Sequence, residues 1–210
     1  MSTTTSASAT RSPAKLIFFV LFLAATAFVT FMKNRDAFVS GSPLALHYAP
    51  AKWFLAVHAV FGALALILGV FQFSNRLRAR YLAQHRFLGY VYVLGVLVAA
   101  PLAVPVVMKI GTPSLIAATI MQSFGWLLTT LIGLYCIKQG NVQQHRRWMI
   151  RSYPFAMVFT VTRLIIPLPP VMASGVTGIE IVVWSAVALA AFLPTVFLDW
   201  RLISPKRKAI

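Results

Sequence analysis

Apolar and polar positions alternate along this chain on the scale of whole membrane spans rather than of single residues. Six apolar runs, residues 16–32, 53–73, 87–108, 113–137, 153–171 and 179–198, are separated by short polar connectors. Each is close to the roughly 20 residues that a helix needs to cross hydrocarbon. No alternation of period two runs through them, which argues against a lipid-facing barrel. Backbone groups in lipid must bond within their own segment, so the runs are expected to be helices. Pro101 and Pro105 predict a bend or an end in the third run, and Pro167, Pro169 and Pro170 break the far end of the fifth. Pro154 falls at the start of the fifth run, where a missing N–H is tolerated, and Pro194 predicts a kink in the sixth. The expectation is an all-α membrane protein. A bundle of six transmembrane helices over residues 14–201 lies between a disordered N-terminal tail, residues 1–13, and a basic tail, residues 202–210.

The front half of the first run has the look of a signal peptide, with Ala25-Thr26-Ala27 as a cleavage site. The apolar stretch continues through Phe28, Val29, Phe31 and Met32, which favours an uncleaved first helix.

Composition agrees with this pattern. Sixty per cent of the residues are apolar and 10% are charged, with a mean hydropathy of +0.82. A soluble domain has about 25% charged residues, and one of this size has no core large enough to hide so much apolar surface.

The net charge of +16 would suggest nucleic acid in a soluble protein, but the basic residues here have no domain of their own and fall between apolar runs. Nucleic acid is therefore not an expected partner, and membrane lipid is. With six crossings, one side collects 14 cations: Arg11 and Lys15; Arg76, Arg78, Arg80 and Arg86; Lys138, Arg146, Arg147 and Arg151; Arg201, Lys206, Arg207 and Lys208. The other side has four, Lys33, Arg35, Lys52 and Lys109, and Arg163 is counted with neither. The positive-inside rule puts the 14, and both termini, in the cytoplasm of a bacterial inner membrane. Cys136 is the single cysteine, so neither an intrachain disulfide nor a thiolate cluster can form.

Two cytoplasmic connectors carry matched motifs. One reads His85-Arg86-Phe87-Leu88-Gly89-Tyr90-Val91-Tyr92, the other His145-Arg146-Arg147-Trp148-Met149-Ile150-Arg151-Ser152-Tyr153. Each His-Arg pair precedes or opens an odd-numbered helix, which sets both histidines at one depth. Two such imidazoles can ligate one haem iron from opposite faces. Arg86, Arg146, Arg147 and Arg151 would then lie near the propionates, and Trp148, Tyr90 and Tyr92 against the porphyrin. The plainer alternative is a pair of interfacial histidines among headgroup-level aromatic anchors. A quinone or a lipid headgroup is a third use.

At the outer side, His58 lies about five residues into the second helix, roughly 7 Å deep. Gly62 and Gly69 share its face, which predicts close approach of a neighbouring helix. Arg163 stands in the outer half of the fifth run. A buried arginine stays charged and needs a partner, and of the three acids Glu180 is on its side. His58, Arg163 and Glu180 are expected to form an outer polar site, or Arg163 reaches outward to phosphate headgroups. Asp199 is expected in a local ion pair, and Gln72 as a cap or a polar contact to a ligand. Among the motifs that are absent are a glycine-rich phosphate loop ending in Lys-Ser or Lys-Thr, His-Glu-x-x-His and Gly-x-Ser-x-Gly, which makes ATPase or hydrolase chemistry unexpected.

His58 with Gly62, Gln72-Phe73, His85-Arg86-x-x-Gly89-x-x-Tyr92, Trp126, His145-Arg146-x-Trp148-Met149-x-Arg151-Ser152 and Arg163 together resemble a bacterial membrane family catalogued as domain of unknown function 2306. The resemblance implies a multi-pass architecture and no particular activity. The arrangement is also loosely similar to membrane cytochromes of the b561 type, which place two histidine pairs on four central helices. The fourth run here has no histidine, so this likeness implies a single haem b between His85 and His145. The leading expectation is an electron-transfer protein that binds haem b or a quinone and meets a redox partner protein. The alternative is a non-enzymatic small-molecule carrier, or an assembly factor for a membrane complex, built on the outer His58–Arg163–Glu180 site.

Overall fold

The computed structural model describes residues 13–29, 31 and 35–203. The expected tail up to residue 12 and residues 204–210 of the basic tail lie outside the described residues. Every regular element among the described residues is helical. In chain order the α-helices are α1 (Pro13–Phe28), α2 (Pro43–Tyr48), α3 (Lys52–Phe71), α4 (Asn75–Arg80), α5 (Leu82–Ile110), α6 (Pro113–Lys138), α7 (Val142–Ile165), α8 (Pro169–Ala173) and α9 (Gly175–Ile203), with short 3-10 turns at Arg35–Ala37 and Ala49–Ala51 on either side of α2.

The starts of several helices follow from local chemistry. Ser42, Ser74, Thr112 and Asn141 each precede a helix, and each side-chain oxygen accepts from a backbone N–H three residues on. Gly140, at φ +75°, takes the left-handed conformation that ends α6 and turns the chain into α7.

Neighbours in sequence pack antiparallel. His58 of α3 bonds Ala99 of α5, while Gly69, eleven residues later, lies beside Tyr92. Gln122 and Gly133 of α6 meet Phe155 and His145 of α7 in reverse order. Arg147 and Arg151 of α7 reach Asp199 and Thr195 of α9. α6 and α9 run parallel, joined by Ser114–Trp184 and Thr112–Glu180. The shared core is built by α3, α5, α6, α7 and α9 around Leu66, Tyr92, Val96, Trp126, Tyr153, Phe155 and Val187.

Four stretches among the described residues are long and apolar enough to cross a membrane: Pro43–Phe71, Leu82–Ile110, Pro113–Lys138 and Gly175–Trp200. Their outward faces keep large apolar side chains uncovered; Trp53 is 80% and Phe197 72% exposed. In water such faces would associate, whereas in lipid they are already solvated. The chain is an all-α membrane protein.

Several sequence expectations shift. α5 does not end at Pro101 or Pro105 but continues to Ile110. Its long contact with α3 holds it in place, and a packed helix tolerates the lost N–H groups. Pro154 is not at a helix start, because α7 already begins at Val142. The polar segment from Gln143 to Trp148 is helical, capped by Asn141, so the fifth apolar run is only the second part of a longer helix. The expected far-end break does occur, after Ile165, and α8 follows as a separate short helix. Pro194 leaves α9 continuous to Ile203.

Candidate functional site

The bundle has two chemically different ends. One is formed by the α3–α5 and α6–α7 connections and gathers the arginines. The other is formed by α2, the α5–α6 turn and α8.

At the second end a cavity of about 400 Å³ opens between the helices. Its wall comes from the first half of α3, the last part of α5, the first half of α6, the second half of α7 and the start of α9, with His47 and Tyr48 of α2 at its edge. The lining is mainly apolar, from Leu66, Val107, Trp126, Phe155 and Phe159 among others. Besides His47 and Tyr48 at the edge, polar groups enter at few points: His58, Arg163, Thr119, Gln122, Ser123 and Thr162.

His58 and Arg163, paired in the sequence reading, do line the same cavity. Glu180 does not join them. Its carboxylate accepts from the Thr112 hydroxyl and ties the start of α9 to the start of α6. Arg163 instead donates to the Tyr48 hydroxyl at 3.3 Å and lies over the Phe159 ring, 5.6 Å from its centre. Tyr48 is therefore a site residue that the sequence reading passed over. Among the described residues no carboxylate lines this cavity, and the guanidinium keeps donors to spare.

The state of His58 follows from its partner. Nδ1 lies 2.8 Å from the Ala99 carbonyl, which can only accept, so Nδ1 carries a proton. In the neutral ring Nε2 then holds the lone pair, and His58 is among the side chains that line the cavity. Of the two glycines expected to mark close packing, Gly69 does: a Cβ there would come within 2.6 Å of the Tyr153 ring, whereas one at Gly62 would make only ordinary contact, 3.8 Å from Ala99 Cβ. α3 and α5 approach most closely at Gly95, where a Cβ would stand 2.8 Å from the Phe61 carbonyl.

At the arginine-rich end, His145 repeats the pattern. Its Nδ1 donates to the Gly133 carbonyl at 2.8 Å, which the close approach of α6 and α7 permits: a Cβ on Gly133 would meet Met149 Sδ at 2.8 Å. His85 is held differently. With its amide turned so that both ends are satisfied, Gln72 donates to His85 Nδ1 at 2.9 Å and to the His85 carbonyl at 3.2 Å, and accepts from the Gly89 N–H at 3.3 Å. A ring accepting at Nδ1 carries its proton on Nε2. An iron binds the unprotonated nitrogen, so His145 is set up as a ligand and His85, in this tautomer, is not.

The arginines assigned to propionates also have other company. Arg147 and Arg151 both pair with Asp199, the latter at 3.5 Å. Arg151 lies over the Trp148 ring at 5.2 Å and donates to Thr195 at 3.3 Å. The Asp199 ion pair thus bridges two helices rather than being local. Arg86 and Arg146 are exposed.

Between the two ends lies a buried polar cluster. The Tyr92 hydroxyl sits 2.7 Å from Ser152 Oγ and accepts from Trp126 Nε1 at 3.1 Å; Ser152 Oγ in turn meets Thr130 Oγ1 at 2.7 Å. Thr130 donates to the Trp126 carbonyl at 2.7 Å, and Tyr153 donates to the Leu66 carbonyl at 2.8 Å. α3, α5, α6 and α7 are fastened together here. The cluster contains no acid or base that would relay a proton, and with every member paired it rigidifies the floor of the cavity.

The sequence model of a protein family described as "predicted membrane protein (DUF2306)" matches residues 55–203. Neither a curated protein nor a solved structure matches the chain, so the likeness to b561-type cytochromes gains no support. The match covers α3 almost from its start, all of α4 to α8, and α9, and so includes every side chain of the cavity, the polar cluster and the arginine-rich end named above except His47 and Tyr48: the chain belongs to the DUF2306 family of membrane proteins.

Proposed function

We propose that the protein binds a small amphipathic anion in the cavity between α3, α5, α6, α7 and α9, and serves as a carrier or holder of that molecule in a bacterial inner membrane. The observation that carries this reading is a mostly apolar cavity with a guanidinium and an imidazole lone pair at its wall and no carboxylate among the described residues lining it. Its volume of about 400 Å³ falls in the range of small-molecule sites, roughly 300–1,000 Å³. Arg163 supplies charge-assisted hydrogen bonds to a carboxylate or phosphate head, and His58 Nε2 accepts from a protonated or hydroxylated one. The apolar body lies against Phe155, Phe159 and Trp126.

In this reading all six helices cross: α1, α7 and the four long apolar stretches. α7 spans the bundle beside α6 and α9 although its first third is polar. The arginine-rich end and both termini are cytoplasmic by the positive-inside rule, and the cavity opens on the outer half. Single cysteines in a Cys136→Ser background test the sidedness. Ser40→Cys is expected to react with an impermeant maleimide on intact spheroplasts, and Gln139→Cys only after lysis. The reverse pattern inverts the orientation.

The binding claim is tested by thermal unfolding of detergent-purified protein with decanoate, decylamine or decanol. Decanoate is expected to stabilise the native chain and to lose its effect in Arg163→Gln. Equal stabilisation by the amine would sink the anionic assignment.

A second reading, a single haem b between His85 and His145 in an electron-transfer protein, rests on the Nδ1–H bond of His145. It requires Gln72 to present its oxygen to His85 Nδ1, which frees Nε2. Protein from haem-replete cells would then show a Soret band lost in His145→Ala and kept in Arg163→Gln. A native protein with no Soret band removes this reading.

A further inference from the structure

The arginine-rich end has more positive charge than its acids can answer. Of the three carboxylates, Asp36 and Glu180 belong to elements at the opposite end, and Asp199 is taken by Arg147 and Arg151. Arg76, Arg78, Arg86 and Arg146 have no carboxylate among the described residues.

Arg78 is the member held most firmly. It is half-buried, it donates to the Gln72 carbonyl at 3.3 Å and to Asn75 Oδ1, and Gln72 in turn holds His85. α4, the end of α3 and the start of α5 are locked by this chain of bonds. Arg146, from the start of α7, lies within electrostatic reach. Burial, and then the Arg146 charge, push the Arg78 guanidinium below its ordinary pKa. A fixed guanidinium with a second cation in electrostatic reach, and no acid to share, is stabilised by an anion near both.

Beside it lies a feature that neither charge nor topology requires. A slot of about 220 Å³ opens under α4, lined by Phe71, Ser74, Arg76, Leu77, Tyr81 and Leu88. Its lining is almost wholly apolar, Arg76 stands at it, and it belongs to the same short helix as Arg78. An inorganic anion has no use for such a slot, whereas an acyl chain does.

We propose that the arginine-rich end is a binding site for an anionic phospholipid, whose phosphate sits between Arg78 and Arg146 and one of whose chains enters the slot under α4. The chemistry shared with a free phosphate is the phosphate itself; the slot selects the lipid. This site is separate from the outer cavity and does not depend on the reading of that cavity.

The test uses the full chain in a non-ionic detergent, with phosphatidylglycerol, phosphatidylcholine or inorganic phosphate added, read by native mass spectrometry and by melting temperature. Phosphatidylglycerol is expected to be retained at one per chain and to raise the melting temperature, and phosphatidylcholine to do neither. Arg78→Gln with Arg146→Gln is expected to weaken retention about tenfold or more, the scale of one lost charge-assisted contact. Arg80→Gln, which removes a charge from the same helix outside the site, is expected to leave retention unchanged. Leu77→Glu is expected to expel the lipid by placing a charge in the slot. Three results overturn the proposal: equal retention of both lipids, undiminished retention in the double variant, and stabilisation by inorganic phosphate that matches phosphatidylglycerol. Should the double variant fail to fold, competition on the native chain decides. Phosphatidylglycerol must stay bound against an excess of phosphatidylcholine, and its displacement refutes the site.

Discussion

His58 and His145 are held by the same device and serve opposite surroundings. Each donates its Nδ1 proton to a carbonyl of the neighbouring helix at 2.8 Å, with His145 about one turn and His58 nearly two turns from the start of its helix. Around His58 the helices leave a cavity of about 400 Å³, with Arg163 at its wall. Around His145 they close up, with the cation Arg146 beside it in sequence and the His85 ring within electrostatic reach. The imidazole geometry alone therefore does not define a site. What differs is the space beside the free nitrogen, since the charge nearest each ring is a guanidinium. On the proposed function the cavity end receives a small molecule, and on the proposed lipid site the arginine-rich end meets an anionic headgroup.

If this contrast is correct, substitutions in the shared floor should damage both ends, and substitutions at either end should be local. The largest effect is expected at Gly69. An added Cβ comes within 2.6 Å of the Tyr153 ring and 2.9 Å of Tyr92, and both rings are buried in the packed core. Gly69→Val is predicted to cost about 3 kcal/mol or more in thermal unfolding, with ligand retention lost at both ends. A variant as stable as the native chain would mean that the α3–α5–α7 packing described here is wrong.

Next is Tyr92→Phe. It deprives Trp126 Nε1 of its acceptor and Ser152 of one of two partners, at a predicted cost of about 1–3 kcal/mol. Thermal unfolding measures it, and no change would show that the cluster does not fasten the helices.

Substitutions at the ends are expected to separate function from stability. Arg163→Gln should reduce decanoate binding about tenfold while shifting the melting temperature little, because among the described residues the guanidinium has the Tyr48 hydroxyl and the Phe159 face to lose. Tyr48→Phe should act in the same direction and more weakly, since it loosens the arginine without removing it. The smallest change is expected for Asp199→Asn. Its ion pairs with Arg147 and Arg151 are about one-third exposed on the carboxylate side, so their loss is predicted to cost about 1 kcal/mol or less by thermal unfolding.

Much of this architecture was legible in the hydropathy pattern, because lipid imposes length and backbone satisfaction on every crossing segment. α7 was harder to read. Apolarity pointed to a start at Tyr153, whereas the helix begins at Val142. The signal for the earlier start was local: Gly140 to turn the chain, Asn141 to cap it, and Gln144 three residues on. At the prolines of α5 the sequence predicts a bend or an end, and it does not reveal that α3 lies along that helix, which continues to Ile110.

The site was legible in part. That His58 and Arg163 share a face of the bundle follows from depth alone, and both line the cavity. Glu180 was assigned by charge, the right argument for a missing partner but silent on the Thr112 hydroxyl that packing brings closer. Tyr48, sitting in a short helix before the first long apolar stretch, offered no periodic signal. The residues that carried the family resemblance proved to include many of the bonds between helices: His58 to Ala99, Gln72 to His85, Tyr92 to Trp126 and Ser152, His145 to Gly133. A motif read for chemistry can equally be a record of how the bundle is fastened.

The central claim is that the cavity beside Arg163 and His58 takes an amphipathic anion. A scintillation-proximity titration of labelled decanoate on the native chain and on Arg163→Gln in nanodiscs tests it most directly. The account predicts saturable binding at one site per native chain, weakened about tenfold in the variant at unchanged melting temperature. Saturable binding of the same strength in both proteins would contradict it.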